Sequence, residues 1–125
     1  AIMGEIKRLS DAEHEIMNII WEKGESMCVG DVFEYLSETD WKYTTVATFL
    51  TRLEKKGFLK CIKKDGKNYY ECIADRDKYR REQTDDLVNE LYDGERSGLI
   101  ACLCKGRISD EDYSELMSIL KKYGE

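Results

Sequence analysis

Apolar residues recur at helical spacing in three short runs near the start of the chain, and start and stop signals bracket the runs. Ile16, Met17 and Ile20 form the first stripe, with Trp21 at its edge. Ser10-Asp11-Ala12-Glu13 in front of it is a capping box, in which a serine hydroxyl and a glutamate three residues on satisfy each other's free backbone N–H groups. Gly24 supplies the stop. A second helix is predicted from Val29 to Ser37, striped by Val29, Val32, Phe33 and Leu36, with the weak capper Cys28 at its N-cap. The third runs from Thr44 to Lys56 and ends at Gly57. Its Val46, Phe49, Leu50 and Leu53 fall on one side, while Thr44, Thr45, Thr48, Thr51, Arg52 and Lys55 collect on the other.

The period then changes from helical to alternating. Between Phe58 and Ile73, Asp65-Gly66 separates two β-capable stretches, and Asp-Gly adopts the type I′ turn that matches strand twist. Pairing outward from the turn sets Ile62 opposite Tyr69, Cys61 opposite Tyr70 and Leu59 opposite Cys72, with Lys63, Lys64 and Lys67 at the tip. Strand aromatics mostly serve as core or cross-strand partners, so Tyr70 is expected to pack against Leu59 and the helices. Three short helices followed by a basic-tipped hairpin is the element order of a winged helix.

Beyond Ala74 the strand signals stop. Residues 75–93 read as one helix, with Tyr79, Thr84, Leu87, Val88 and Leu91 roughly along one side. A short apolar segment, Leu99 to Cys104, precedes a last helix capped by Ser109 with Asp112 at N3 and striped by Tyr113, Leu116, Met117 and Leu120. Three short amphipathic helices make a thin core, which a partner chain would complete. The expected architecture is mainly α with a small β-hairpin wing: a winged helix-turn-helix at residues 1–74, then a helical dimerisation domain at residues 75–125. Leu87, Val88, Leu91, Leu99, Leu103, Tyr113, Leu116, Met117 and Leu120 are the candidate dimer contacts.

Charge sharpens this picture. The chain carries a net −6, yet from Trp41 to Tyr70 eight Lys or Arg stand against two acids, a balance of +6, and the flanks sum to −7 and −5. A patch of one sign on a body of the other focuses the field where a polyanion docks. Thr44, Thr45 and Thr48, at the start of the third helix, are candidate readers of base edges in a major groove, where hydroxyls bond bases and methyls pack on thymine. Lys42 and Tyr43 flank them. Arg52, Lys55 and Lys56 on the helix, and Lys63, Lys64 and Lys67 on the wing, are candidate phosphate contacts. A charged face turned simply to water is the competing reading of the helix alone. The basic hairpin beside it, in an acidic chain, favours double-stranded DNA.

Other chemistries lack parts. His14 is the one histidine, and neither a His-Glu-x-x-His motif nor a Gly-rich phosphate loop is present. Ser118-Ile119-Leu120-Lys121 matches the Ser-x-x-Lys pattern of penicillin-binding enzymes, but a 125-residue chain is too small for the rest of that machinery. An enzyme is therefore not expected, and no cofactor. The five cysteines are odd in number and lack framework spacing. With no export signal and no apolar run near the ~20 residues a membrane span needs, a cytoplasmic location without membrane insertion is expected. Cys102-x-Cys104 supplies half of a soft-metal site and leaves a metal- or thiol-responsive regulator as an alternative. A winged-helix module that binds protein and never DNA is a second alternative.

Leu9-Ser10-Asp11-Ala12-Glu13, Trp21 with Gly24, Trp41, and Thr45-Val46 through Leu50-Thr51-Arg52-Leu53 to Lys55-Lys56-Gly57 resemble the penicillinase-repressor family of BlaI and MecI, which includes the copper-responsive CopY. The resemblance covers nearly the whole chain and is most specific from Trp41 to Gly57. It implies a homodimer that binds a palindromic operator through its winged helices and represses resistance or stress operons. In the penicillin-responsive members it implies relief when a membrane-bound sensor metalloprotease leads to cleavage between the dimer helices. This chain departs from the pattern at His14, where the family often has Trp, at Cys28, where it has a Thr cap, and at Lys42, where it has a Ser cap. Ala101-Cys102 stands where the family has an Asn-Phe cleavage pair, and one Cys-x-Cys pair stands where the copper sensors have two.

Overall fold

The computed structural model describes residues 8–106 and 108–123. Helix α1 (Asp11–Lys23) begins as the capping box requires. Ser10 Oγ accepts the Glu13 N–H at 3.2 Å, and Glu13 Oε1 accepts the Ser10 N–H at 2.8 Å. It ends at Gly24, whose φ of 72° is the left-handed conformation that costs glycine least. A two-residue strand, β1 (Met27–Cys28), follows, and no periodic signal announces it. Helix α2 (Val29–Tyr35) starts from Cys28 and closes two residues earlier than its stripe predicts. The chain leaves it in turns, in which the Ser37 and Thr39 N–H groups donate to the Glu34 and Leu36 carbonyls. Asp31 takes over the capping that Cys28 does poorly, its carboxylate accepting the Cys28 N–H at 3.1 Å.

Helix α3 (Tyr43–Lys55) starts one residue ahead of expectation, with Lys42 at the N-cap, and turns into the hairpin at Gly57 (φ 87°). Strands β2 (Leu59–Lys64) and β3 (Lys67–Cys72) pair antiparallel, with Ile62 opposite Tyr69, Cys61 opposite Tyr70 and Leu59 opposite Cys72. The turn holds Asp65 at φ 52° and Gly66 at φ 77°, both positive as type I′ demands. β1 pairs with the other edge of β3, Met27 opposite Tyr70 and Cys28 opposite Tyr69, so the sheet has the order β1-β3-β2. Ile16, Met17 and Ile20 of α1, Val32 of α2, Val46, Leu50 and Leu53 of α3, and Met27, Leu59 and Tyr70 of the sheet form one buried core.

Helix α4 (Arg76–Tyr92) opens on that core. The Tyr79 hydroxyl accepts the Leu9 N–H at 3.0 Å, and its ring lies 5.5 Å from Phe58 and 5.9 Å from Trp21. Arg76 reaches back to α1, donating to Glu22 Oε1 at 2.8 Å with its guanidinium over the Trp21 ring. Trp21 Nε1 donates to the Ala74 carbonyl at 2.9 Å. The residues from Arg8 to Gln83 accordingly cluster as one compact unit, and a second unit runs from Thr84.

In the second unit the Leu99–Cys104 segment is helical, part of α5 (Arg96–Lys105), and α6 (Asp110–Tyr123) completes the described chain. Ser109 caps α6, its hydroxyl accepting the Asp112 N–H at 3.0 Å. Gly98 gives Tyr92 room, because a Cβ there would stand 2.6 Å from the Tyr92 ring. Val88 is buried, whereas Leu87, Leu91, Leu103, Tyr113, Met117 and Leu120 are exposed. Leu99 and Leu116 are half-buried.

Candidate nucleic-acid interface

One side of α3 is spent on the core and the other is open. Val46, Leu50 and Leu53 are buried, and Thr44, Thr48, Thr51, Arg52 and Lys55 are exposed. Thr45 is half-buried, at the margin between the two sides. Lys42 and Tyr43 are exposed at the N-terminus of the helix, with Tyr43 edge-on to Phe33 at 5.6 Å. A free helix N-terminus and short hydroxylated side chains meet the size limits of a major groove.

The hydroxyls are already directed. Thr48 Oγ1 donates to the Thr44 carbonyl at 3.0 Å, and Thr51 Oγ1 donates to Ala47 at 3.1 Å. With its proton committed to the helix, each hydroxyl presents lone pairs and a methyl group outward. Thr48 can therefore accept from a base amino group or pack on a thymine methyl.

The cations divide into two groups. Lys56, expected among the phosphate contacts, is turned inward: its Nζ lies 2.6 Å from Glu13 Oε1 and 3.2 Å from the Arg8 carbonyl. Glu13 is 3% exposed, and its carboxylate form favours this bond. Burial works to raise its pKa, but hydrogen bonds from Lys56 and Ser10 outweigh burial and hold it below the ordinary value. Arg52, Lys55, Lys63, Lys64 and Lys67 are exposed, and among the described residues they form no ion pair. Lys64 faces Lys67 directly across the hairpin, an arrangement of like charges that costs the free protein stability.

The wing is fixed to α3 through the shared core. Tyr70, 5% exposed, packs in the core, and burial raises its phenol pKa. The Cys72 thiol donates to the Ala74 carbonyl at 3.0 Å, and burial raises its pKa too. His14 is exposed on α1, its ring 6.2 Å from both Trp21 and Tyr79. Cys102 and Cys104 lie exposed on α5, and a hydrogen bond with Cys102 raises the pKa of Tyr92. Among the described residues no three His, Cys, Asp or Glu side chains gather in a metal-holding group.

Sequence spacing did not single out the setting of Arg52. Its guanidinium lies over the Phe49 ring, 5.0 Å from the centroid, and Phe49 meets Trp41 edge-on at 5.4 Å. Phe49 reads as one more member of the apolar stripe. The signal available was its place three residues before an arginine, where side chains on a helix meet.

A body with this order of helices, strands and surface cations is a winged-helix DNA-binding protein. The penicillinase repressor family model matches residues 9–122, and the chain belongs to that family of DNA-binding transcriptional repressors, which are not enzymes. It is 36% identical over 118 residues to the methicillin resistance regulatory protein MecI of Staphylococcus aureus, covering 91% of this chain and 94% of the relative. It is 32% identical over 123 residues to the penicillinase repressor of Bacillus licheniformis, covering 97% and 95%. The solution structure of the DNA-binding domain of the repressor BlaI superposes with a TM-score of 0.51 at 39% identity, covering 59% of this chain and 90% of that domain.

Proposed function

We propose that this repressor acts in the cytoplasm as a homodimer, each protomer setting α3 into the major groove of one half of a palindromic operator and so excluding polymerase from the promoter. Thr44, Thr45 and Thr48 read base edges, with Lys42 and Tyr43 beside them. Arg52, Lys55, Lys63, Lys64 and Lys67 meet phosphates and set the register. The observation that carries this reading is the set of exposed cations on α3 and the wing that form no ion pair among the described residues, in a chain whose net charge is −6. Cations left unpaired on an acidic protein are most simply understood as awaiting a polyanion.

Dimerisation is supported by the apolar side chains that the second unit leaves in water, among them Leu91 at 62% and Leu103 at 65% exposed. So many uncovered side chains on so small a unit mark an association surface. The similarity to regulators of methicillin and penicillinase resistance supports control of a resistance operon. Relief by a membrane-bound sensor metalloprotease would require access to Ala101-Cys102, both exposed on α5. Among the described residues no helix is long and apolar enough to cross a membrane.

Anisotropy titration of the DNA upstream of its own gene, at two salt concentrations and with random DNA as control, tests the reading. Saturable, salt-dependent binding that prefers the upstream sequence is the expected outcome. Equal binding to both sequences, or none, overturns it.

A further inference from the structure

An arginine that meets DNA from a solvent-exposed helix face must give up several rotatable bonds of freedom, and a surface that holds it beforehand lowers that cost. Arg52 has such a surface. Its guanidinium lies over Phe49 at 5.0 Å from the ring centroid, and the Phe49 ring is met at its edge by Trp41 at 5.4 Å. Trp41 is itself anchored: its backbone N–H donates to Thr39 Oγ1 at 3.2 Å, and that hydroxyl bonds to the Leu36 carbonyl. The support therefore runs from the loop after α2, through two aromatic rings, to one cation. Phe49 and Trp41 are half-buried, whereas Leu50 and Leu53 on the core side are wholly buried. Phe49 and Trp41 both pack against the margin of the core, which leaves part of the Phe49 ring open to the guanidinium. Stacking also leaves the guanidinium edge and its N–H donors free for a phosphate oxygen, which a carboxylate partner would have occupied. Arg52 has no such partner among the described residues.

We propose that Phe49, braced by Trp41, is a positioning residue for DNA binding that holds the Arg52 guanidinium ready for a phosphate. This rests on Arg52 being a phosphate contact, and the experiment separates the two ideas. Operator affinity of the full-length protein is measured for Phe49→Leu, Phe49→Tyr and Arg52→Ala, and for each Phe49 variant combined with Arg52→Ala, with melting curves alongside. An exposed cation–π contact accounts for about a two- to fivefold change. Phe49→Leu is expected to lose that factor, while Phe49→Tyr, which keeps the ring, retains affinity. In the Arg52→Ala background the difference between Leu and Tyr disappears. If Phe49→Leu fails to fold, Phe49→Met serves as the ring-free variant of similar bulk. A Leu–Tyr difference that persists without Arg52 overturns the positioning role, as does its absence in the wild-type background. An Arg52→Ala protein that binds as tightly as wild type overturns the phosphate contact itself.

Discussion

Glu13 and Lys56 join the first turn of α1 to the end of α3, carboxylate to ammonium at 2.6 Å, with Glu13 3% exposed. The same carboxylate completes the capping box by accepting the Ser10 N–H, so one side chain both starts a helix and ties it to the end of α3. Removing one partner leaves the other charge poorly solvated, which costs more than the pair contributes.

Lys56→Met is therefore expected to destabilise the winged-helix unit by about 1–3 kcal/mol, read as a shift of the urea midpoint. Its effect depends on pH. Glu13 has a folded pKa below its ordinary 4.5, so its contribution is present above that value and is lost as pH falls through the folded pKa. Without Lys56, its hydrogen bond and charge no longer oppose burial at Glu13, and that contribution shrinks. The gap between wild type and variant should be widest near neutrality and narrow below about pH 4.5. A gap that stays constant from pH 7 into the acid range would exclude the pair as its source.

Lys64→Thr should move stability and binding in opposite directions. Relieving the like-charge pair with Lys67 should stabilise the free protein by a few tenths of a kcal/mol. Binding to every DNA sequence should weaken, and the slope of log affinity against log salt should flatten by about one. Thermal melting and a salt series on operator and random DNA give both numbers.

At Thr48, Ala is expected to reduce operator affinity more than affinity for random DNA. The hydroxyl proton is committed to the Thr44 carbonyl, so the methyl is the better candidate for the reading contact. Thr48→Val should then keep more operator preference than Thr48→Ser. Equal losses on operator and random DNA would remove Thr48 from the set of base readers.

For the second unit, Leu103→Asp places a charge on a side chain that is 65% exposed in the single chain. The proposed dimer should weaken by about tenfold or more, with an accompanying loss of operator affinity. Sedimentation shows the first effect and anisotropy the second. An unchanged dimer would move the association surface away from Leu103.

Local chemistry made much of the fold legible. Ser10-Asp11-Ala12-Glu13 set the start of α1 because its two bonds are made within four residues, and Asp65-Gly66 set the register of every pair in the hairpin because the turn type leaves no other. What escaped depends on distant partners. β1 has two residues, too few to show a period, and exists because β3 offers it an edge. Lys56 has the same sequence character as Lys55, and only the arrival of Glu13, 43 positions earlier, turns it inward. Thr44, Thr48 and the wing lysines lie on open surfaces as their spacing suggested, Thr45 only partly so, whereas the bed beneath Arg52 needed the loop carrying Trp41 to be in place.

β1 has a mechanical meaning. Because the segment leading into α2 is hydrogen-bonded to the same strand that carries half of the wing, the hairpin is not a free arm hanging from the end of α3. Any bending of the lysine tip would pull on Met27 and Cys28, and through them on the entry to α2. In the proposed complex, the grip of the wing on the backbone would therefore be coupled to the helical body through β1.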